Sequence, residues 1–257
     1  MSFKVLQFNM QFGQTWRSTE PDRAPVDLDQ AIAEIVSHDP DLIMLQELER
    51  ATPGCAQPPL PPNYLRLKQA LPGYEGYIEF PKTDERELPF GIGLAILSKA
   101  PLRDHVRVEI PSPPVEFTFR GNKTTPTDRV LIGATTTMNG RDLRVMTTHL
   151  LALFMLGSSS EEQYPEQRRQ VVELMRRQEG PALLTGDFNV SRYDALVQQF
   201  AAIDCQTVQF AKATWRRRPF VLDHIFYNKH LCCVSHEVKP TPASDHHVLV
   251  AEFEFCD

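Results

Sequence analysis

Short apolar runs recur along the whole chain, and segments with helical spacing separate them. Apolar runs of this length, bounded by polar or proline-containing stretches, are typical of strands that a sheet buries. The strands predicted on this basis lie at residues 3–8, 42–45, 94–97, 130–137, 143–148, 182–184, 220–227 and 248–255. Asn139-Gly140 separates the fourth run from the fifth and is a strong signal for a tight turn, so these two strands are expected to form a hairpin.

Helical spacing is clearest between the first two strands, where Leu28, Ile32, Ile35 and Val36 fall on one face. Asp27 precedes this segment and is expected to cap it. Further helices are predicted at residues 64–71, 161–178 and 193–202. Because strands and helices alternate from end to end, and no linker-like composition divides the chain, the pattern indicates one α/β domain over residues 1–257.

The composition narrows the functional classes. A net charge of −6 gives no chain-wide basic field for nucleic acid, although Arg216-Arg217-Arg218 could make one groove locally basic. No apolar run is long enough to span a bilayer. The five cysteines, an odd count without zinc-type spacing, predict reduced thiols. The N terminus begins directly on a strand pattern with no visible signal peptide, and both features together predict a cytoplasmic protein.

Polar strings at the ends of predicted strands carry groups that can hold a metal ion. They are Gln46-Glu47, Gly186-Asp187-Phe188-Asn189 and Ser244-Asp245-His246-His247. Open α/β sheets usually build their sites at strand ends. Carboxylates, an amide and imidazoles suit a hard cation, Mg²⁺ with Mn²⁺ as the alternative, and a water to be activated. The chemistry indicated is metal-assisted hydrolysis of a phosphate ester.

Two local patterns refine this expectation. Asp223 lies within an apolar strand, where a carboxylate is costly without a partner. His246 would serve as that partner, and the pair would fix the imidazole tautomer and raise its basicity. Asp187 and Asn189 are two residues apart, so both can face one phosphate if the chain is extended, although an ordinary Asx turn fits them as well. Gly186 would let a substrate approach the backbone closely.

A set of short strings runs in a fixed order along nearly the whole chain. They are Phe8-Asn9-Met10-Gln11, Gln46-Glu47, residues 91–98, Thr148-His149-Leu150, Gly186-Asp187-Phe188-Asn189, Thr214-Trp215, Asp223-His224-Ile225-Phe226 and Ser244-Asp245-His246. Each string alone is weak, but the ordered set resembles the endonuclease/exonuclease/phosphatase superfamily. The resemblance implies the DNase I-like fold, an α/β structure in which two mixed β-sheets pack as a sandwich with helices on both outer faces.

The resemblance also implies a metal centre. Glu47 would bind the divalent ion, assisted by Asn9 and Asp245. Gln11 stands where some nucleases of the family carry an acid. This departure argues against a second metal site built on that position.

The catalytic roles that the resemblance implies fall on five residues. Asp187 and Asn189 would position the attacking water and the phosphate. Asp187 is one candidate for the general base, and His246, oriented by Asp223, is the other. His149 would donate to a phosphate oxygen or help the leaving group.

Three further residues complete the predicted picture of the site. Arg129 resembles a family arginine near the phosphate, and a structural role fits it nearly as well. His224 and His247 adjoin key residues, but strand alternation directs them away from the site.

The family contains nucleases, phosphatases and phospholipase C-type enzymes, and fold does not choose among them. A phosphodiester in DNA or RNA is the preferred substrate. A small phosphorylated or lipid substrate is the alternative, and a non-catalytic scaffold is disfavoured because the full residue set is present. The apolar residues 150–156 would either meet an apolar group of the substrate or form a short buried helix. Trp215 beside three arginines would either stack on a base or pack inside.

Overall fold

Two six-stranded sheets pack face to face and carry helices on their outer faces. The computed structural model describes residues 1–49, 61–81, 93–119 and 121–256. Its strands are β1 (Phe3–Asn9), β2 (Leu42–Gln46), β3 (Glu75–Glu79), β4 (Leu94–Ser98), β5 (Arg103–Ile110), β6 (Phe117–Phe119), β7 (Asn122–Thr124), β8 (Arg129–Met138), β9 (Arg141–His149), β10 (Ala182–Asp187), β11 (Cys205–Thr207), β12 (Asp223–Asn228), β13 (Leu231–Lys239) and β14 (Val248–Phe255). Its helices are α1 (Leu28–Ser37), α2 (Pro62–Ala70), α3 (Glu166–Arg176) and α4 (Tyr193–Ala201), with 3₁₀ turns at Gln11–Gly13, Pro21–Arg23 and Leu153–Leu156. Within these ranges, no helix is both long and apolar enough to cross a membrane.

The strand order brings the ends of four central strands to one edge of the sandwich. The first sheet has the order β13-β14-β1-β2-β4-β3 and the second β11-β12-β10-β9-β8-β5, and β6 pairs with β7 separately. Strand β1 runs parallel to β2, and β9 runs parallel to β10. Asn9 at the end of β1 lies 3.0 Å from Asp187 at the end of β10. The C-terminal ends of all four strands therefore share one edge.

Strand alternation divides the apolar side chains among three clusters. In β1, Phe3 and Val5 point into the cluster between the sheets, whereas Leu6 and Phe8 pack against α1 and α2. A third cluster, which includes Leu184 of β10, joins the second sheet to α3 and α4. This arrangement confirms the predicted α/β sandwich with helices on both outer faces.

Toward the shared edge, the positions between the sheets change from apolar to polar. Gln7, Gln46, Thr147 and Thr185 are fully buried there, and we call these four residues the polar layer. Gln46 Nε2 donates to Thr147 Oγ1 at 2.8 Å, and Thr185 Oγ1 lies 3.1 Å from the same oxygen. Two residues further along β1, β9 and β10, the strands end at Asn9, His149 and Asp187. The polar layer therefore separates the apolar core from the residues at the strand ends.

The predicted elements agree with the structure in the interior of the chain and differ at some ends. Helix α3 begins at Glu166, not at 161, because a proline at 165 disfavours helical conformation in the residue before it. Strand β12 begins at Asp223, because the backbone N–H groups of Leu222 and Asp223 donate to Thr214 Oγ1. Val36 was predicted on the buried face of α1 and is 43% exposed.

The four strands at the sheet edges were not predicted. They are β3, β5, β11 and β13. Most side chains of β13 are exposed, and β5 likewise alternates exposed and half-buried positions along most of its length. In β5 the apolar residues Val106, Val108 and Ile110 alternate with polar ones, so this edge strand lacks the continuous apolar run on which the strand prediction rested.

A disulfide links Cys232 at the start of β13 to Cys256 just after β14, with their Cα atoms 5.7 Å apart. The prediction of reduced thiols was wrong for this pair. The antiparallel register places Leu231 opposite Phe255, and this neighbourhood could not be known while β13 was unrecognised. Cys205 and Cys233 are free thiols, and Cys55 lies outside the described residues.

Gly186 is required by the neighbouring strand. A Cβ atom at this position would lie 2.3 Å from the carbonyl oxygen of Thr148 on β9, and the residue has φ +153°. We expect Gly186→Ala to lower the free energy of unfolding by about 2–4 kcal/mol, because the β9–β10 pair must separate or strain. Gly73→Ala is the matched control, since a Cβ there meets nothing within 4 Å. Urea unfolding with equal midpoints for both variants would contradict this assignment.

Candidate active site

A cleft of about 300 Å³ opens at the shared edge of the two sheets. Its walls are formed by Gln11, Asp22, Glu47, Arg129, His149, Leu150, Ala152, Met155, Asp187, Asn189, Trp215, Arg217, Asp245 and His246. Seven of the nine predicted site residues are in this wall. The other two, Asn9 and Asp223, are buried beneath it and hydrogen-bonded to Asp187 and His246 respectively. The structure therefore brings the whole predicted set together.

His246 lies between two carboxylates. Its Nδ1 is 2.7 Å from Asp223 Oδ2, and its Nε2 is 3.6 Å from Asp187 Oδ2. Burial opposes a charge on the imidazole, but the two carboxylates outweigh burial and raise the pKa of His246. Burial raises the pKa of Asp187, the cationic His246 opposes this, and Asp223 adds to it. At neutral pH the imidazole is thus held as a cation whose Nε2–H faces the cleft.

His149 ends β9 and approaches the same carboxylate oxygen. Its Nε2 lies 3.4 Å from Asp187 Oδ2 and 3.9 Å from Glu47 Oε1. Burial, with the nearby charges of Arg129 and His246, lowers the pKa of His149 well below its usual value. The ring is therefore neutral at physiological pH and offers one N–H donor to a bound oxyanion.

Glu47 directly follows β2 and faces the cleft with Asp245. Burial raises the pKa of Glu47, the charge of Asp245 raises it further, and a hydrogen bond from Asn9 opposes them. A buried carboxylate whose ionised form is disfavoured by burial and by a neighbouring carboxylate is the kind of oxygen ligand that a hard divalent cation stabilises. The residues present therefore fit the predicted Mg²⁺ centre.

Asn9 connects the two acidic groups of the cleft. Its Nδ2 donates to Glu47 Oε1 and to Asp187 Oδ2, both at 3.0 Å, while its Oδ1 accepts from the backbone of Gln11 at 3.1 Å. In this arrangement the amide bridges the carboxylates through its nitrogen. The role of Asn9 as a metal ligand stays a prediction.

Asp245 is fixed by two side chains that the sequence did not assign to the site. Its Oδ2 accepts from Trp215 Nε1 at 3.2 Å and from Arg217 Nε at 2.7 Å. Arg217 also reaches Asp22, at 2.7 Å. The sequence indicated Arg217 only as part of a basic patch. Its contacts could not be predicted because Asp22 and Asp245 are far from it along the chain.

Asp187 forms an Asx turn with Asn189, and Asn189 lines the cleft as well. Its backbone N–H donates to Asp187 Oδ1 at 3.0 Å, and its Nδ2 donates to the carbonyl of Leu150 at 2.9 Å. The turn places the two residues side by side although the strand ends at Asp187. Arg129, at the start of β8, is buried in the cleft wall.

The structure shows how far residues 150–156 and the Trp215 loop, the two segments that bear on substrate choice, are buried. Leu150, Leu151 and Leu153 are buried, whereas Met155 on the rim of the cleft is 67% exposed. Within this segment a 3₁₀ turn covers Leu153–Leu156, and Met155 is its exposed apolar side chain. Trp215 is only 8% exposed and its ring packs against Phe154 and Phe220, which favours the packed alternative over stacking on a base.

Among the described residues, Asp187, Asp223 and His246 form a trio whose potential metal-ligand atoms all lie within 4.8 Å of one another. Glu47 is not part of this trio. Because His246 and Asp223 already satisfy each other, this trio contains its own cation when the imidazole is protonated. A larger cavity, about 520 Å³, lies at the opposite edge beside Arg176, Glu179 and Asp204, all of which are exposed. The convergence of buried groups, rather than cavity size, identifies the site.

His224 points away from the cleft, as predicted. Its ring stacks on Phe226 with centroids 5.1 Å apart, and its Nδ1 lies 3.2 Å from Thr207 Oγ1. Burial lowers its pKa from 6.5 to about 4. Because the unfolded chain then binds a proton more readily than the folded protein, stability falls as the pH drops from 6.5 to 4.

We expect His224 to account for about 3 kcal/mol of that acid sensitivity. The variant His224→Phe should show a smaller loss of unfolding free energy between pH 7 and pH 4 than the native chain, as measured by urea titrations at each pH. His236→Gln, at an exposed position of β13, is the matched control and should keep the native pH dependence. Parallel curves for His224→Phe and the native chain would contradict the assignment.

Comparisons with known proteins agree with this geometry. The model of the Endonuclease/Exonuclease/phosphatase family matches residues 6–246; residues 91 and 92 of the string at 91–98 lie outside the described residues. The UPF0294 protein VP2298 of Vibrio parahaemolyticus is 30% identical over 126 residues, 46% of this chain and 42% of that protein. This match therefore spans under half the length of that relative.

Solved structures share the fold over nearly the whole chain. The endonuclease/exonuclease/phosphatase from Beutenbergia cavernae has a TM-score of 0.71 at 22% identity, covering 99% of this chain and 72% of that one. D. rerio TDP2, complexed with single strand DNA product, has a TM-score of 0.64 at 18% identity, covering 98% and 99%. With the family match over residues 6–246, these findings show that the chain belongs to the endonuclease/exonuclease/phosphatase family.

Proposed function

We propose that the protein is a divalent-metal-dependent hydrolase of phosphate esters, and that its substrate is a phosphodiester in nucleic acid. The observation that carries the proposal is the convergence of the Asp223–His246 pair, Asp187 and the Glu47–Asp245 carboxylates on one cleft of about 300 Å³. A purely structural ion-pair network would not need an open cleft, and it would not leave Glu47 with a raised pKa beside Asp245.

Asp187 is the better placed of the two candidate bases. Its Oδ2 faces the Nε2 atoms of both His149 and His246, at 3.4 and 3.6 Å. In the proposed reaction, Asp187 accepts the proton of the attacking water while the new P–O bond forms and the bond to the leaving oxygen breaks. His246, held as a cation, donates to the phosphoryl oxygens where negative charge develops.

The remaining residues bind and orient the phosphate. His149 is neutral and donates its N–H to a phosphoryl oxygen, and Arg129 supplies positive charge in the cleft wall. Asn189 holds the turn that fixes Asp187 relative to the β9 end. Glu47 and Asp245 would hold the cation, with Asn9 steadying Glu47. A bound Mg²⁺, or Mn²⁺ in its place, would polarise a phosphoryl oxygen as a Lewis acid.

Three observations bear on the substrate. Arg129 lines the cleft and favours a polyanion, as does the likeness to D. rerio TDP2, which was solved with a single strand DNA product. The exposed side chain of Met155 on the cleft rim favours the second candidate, a phosphate ester with an apolar part, as in phospholipase C-type hydrolysis.

The proposal is tested by turnover on one substrate panel with Mg²⁺ and with EDTA. The panel contains single- and double-stranded DNA, an abasic-site duplex, RNA, phosphatidylcholine/sphingomyelin vesicles and inositol phosphates. Cleavage of a nucleic acid that stops in EDTA supports the proposal. The affinity of the protein for that nucleic acid should fall steeply with salt, because phosphate contacts release counterions. Cleavage of the vesicles alone would support the second candidate, and no turnover on any substrate would overturn both.

A further inference from the structure

Asp223 is a fully buried carboxylate whose two oxygens have different partners. Oδ2 meets His246 Nδ1 at 2.7 Å. Oδ1 accepts from Gln7 Nε2 at 3.1 Å. Gln7 lies on β1 of the first sheet and Asp223 on β12 of the second, so this hydrogen bond crosses the sandwich.

The amide of Gln7 is itself fixed by other residues of the polar layer. Gln46 Nε2 donates to Gln7 Oε1 at 2.9 Å, and Gln7 Nε2 also contacts Gln46 Oε1. Gln46 is held in turn by Thr147 of the second sheet at 2.8 Å. Since both amides are fully buried and bonded on each side, the direction of the Gln7 N–H toward Asp223 is set by the packing of the two sheets.

The side chain of Gln7 adds no apolar contact to the cluster between the sheets. The preceding inward positions of β1, Phe3 and Val5, join the apolar cluster between the sheets, and a leucine at position 7 would continue that cluster. Burying an amide is costly unless its groups are hydrogen-bonded. The amide is therefore explained by what it holds rather than by the stability of the core.

We propose that Gln7 is a positioning residue for the reaction: it fixes the Asp223 carboxylate across the sandwich so that Oδ2 meets His246 Nδ1 and His246 Nε2 faces the phosphate. This inference rests on the proposed function for its kinetic consequence. The positioning of Asp223 by Gln7 does not depend on the proposed function, because it concerns only the hydrogen bonds of Asp223 to Gln7 and to His246.

The test compares Gln7→Leu with Thr185→Val. Both positions are fully buried in the polar layer, but the Thr185 hydroxyl contacts Thr147 and does not touch Asp223. The first readout is the low-field ¹H NMR resonance of the His246 Nδ1 proton, assigned by its loss in His246→Gln. We expect Gln7→Leu to shift this resonance upfield or to broaden it through faster exchange, and Thr185→Val to leave it unchanged.

The second readout is steady-state kinetics on bis(p-nitrophenyl) phosphate with Mg²⁺. We expect Gln7→Leu to lower kcat about tenfold with KM within about twofold, because a hydrogen bond to a charged group is lost without a change in the cleft wall. Thr185→Val should stay within about twofold in both. Gln7→Met, which keeps the length but has no donor, replaces Gln7→Leu if the leucine variant does not fold.

The two readouts separate the failure of this inference from the failure of the proposed function. A native-like resonance and native kcat in Gln7→Leu would overturn the positioning role. A shifted resonance in a protein that hydrolyses no phosphate ester would support the positioning of Asp223 and would count against the proposed function alone.

Discussion

The variant His246→Ala is expected to lose about 10³-fold in kcat while it retains the native fold. The imidazole is the only group in the described cleft wall that is held as a cation by two buried carboxylates, at 2.7 and 3.6 Å. Its removal takes away a charged donor at the point where the phosphoryl oxygens gain negative charge. Removal of the imidazole also leaves the buried Asp223 without the partner of its Oδ2, so the melting temperature should fall while the variant stays folded at the temperature of the assay.

The adjacent histidine supplies the control for this prediction. His247 is next in sequence, but its backbone N–H donates to the carbonyl of Thr214 and its side chain is absent from the cleft wall. We expect His247→Gln to stay within about threefold of the native kcat. Circular dichroism and thermal melts of both variants establish that they fold. A His246→Ala variant that keeps most of its activity would contradict the proposed role of His246 in the mechanism.

Asp223 gives a stricter form of the same prediction. Asp223→Asn keeps the shape of the side chain and removes the charge that orients and supports the imidazole, so we expect a loss of about 10²-fold. Residues that act as one unit are strongly non-additive. The double variant with His246→Ala should therefore be no slower than His246→Ala alone, and additive losses would show that Asp223 acts separately from His246.

The sequence predicted best what depends on local patterns. Leu42 to Leu45 formed a recognisable apolar run because both faces of β2 are buried, and Glu47 followed from its place after that run. The positive φ values of Asn139 and Gly140 match the turn that this dipeptide favours. Asp223 was identifiable because a charged residue interrupted an apolar strand.

What could not be predicted depends on pairings across the fold. The four edge strands are short or mix polar with apolar residues, and the Cys232–Cys256 disulfide follows from the register of one of them. Gln7 interrupts the apolar positions of β1 as Asp223 interrupts those of β12, but its partner is 216 residues away. Gly186 was interpreted through the substrate, whereas the Thr148 carbonyl decides the residue; only the strand pairing reveals this contact.

Glu47 carries the second large prediction, because its replacement should affect the empty and the metal-loaded protein in opposite directions. Burial and the charge of Asp245 raise the pKa of Glu47, so its ionised form costs stability at neutral pH when no cation is bound. Glu47→Gln removes that charge, and the new side-chain oxygen can still accept from Asn9 Nδ2. In EDTA, we expect this variant to melt at the native temperature or about 2–4 °C above it.

With Mg²⁺ the expectation reverses. A ligand that binds the folded protein alone raises its stability by an amount set by concentration over Kd, so the native melting temperature should rise with Mg²⁺ and that of Glu47→Gln should not. Turnover should fall about 10²–10³-fold. Asp22→Asn is the matched control: this acid also lines the cleft but is 82% exposed on its side chain, and it should keep the Mg²⁺-dependent rise. If Glu47→Gln retained that rise, the cation would have to be held by other groups, and the Asp187–Asp223–His246 trio would become the first alternative, because its ligand atoms lie within 4.8 Å of one another.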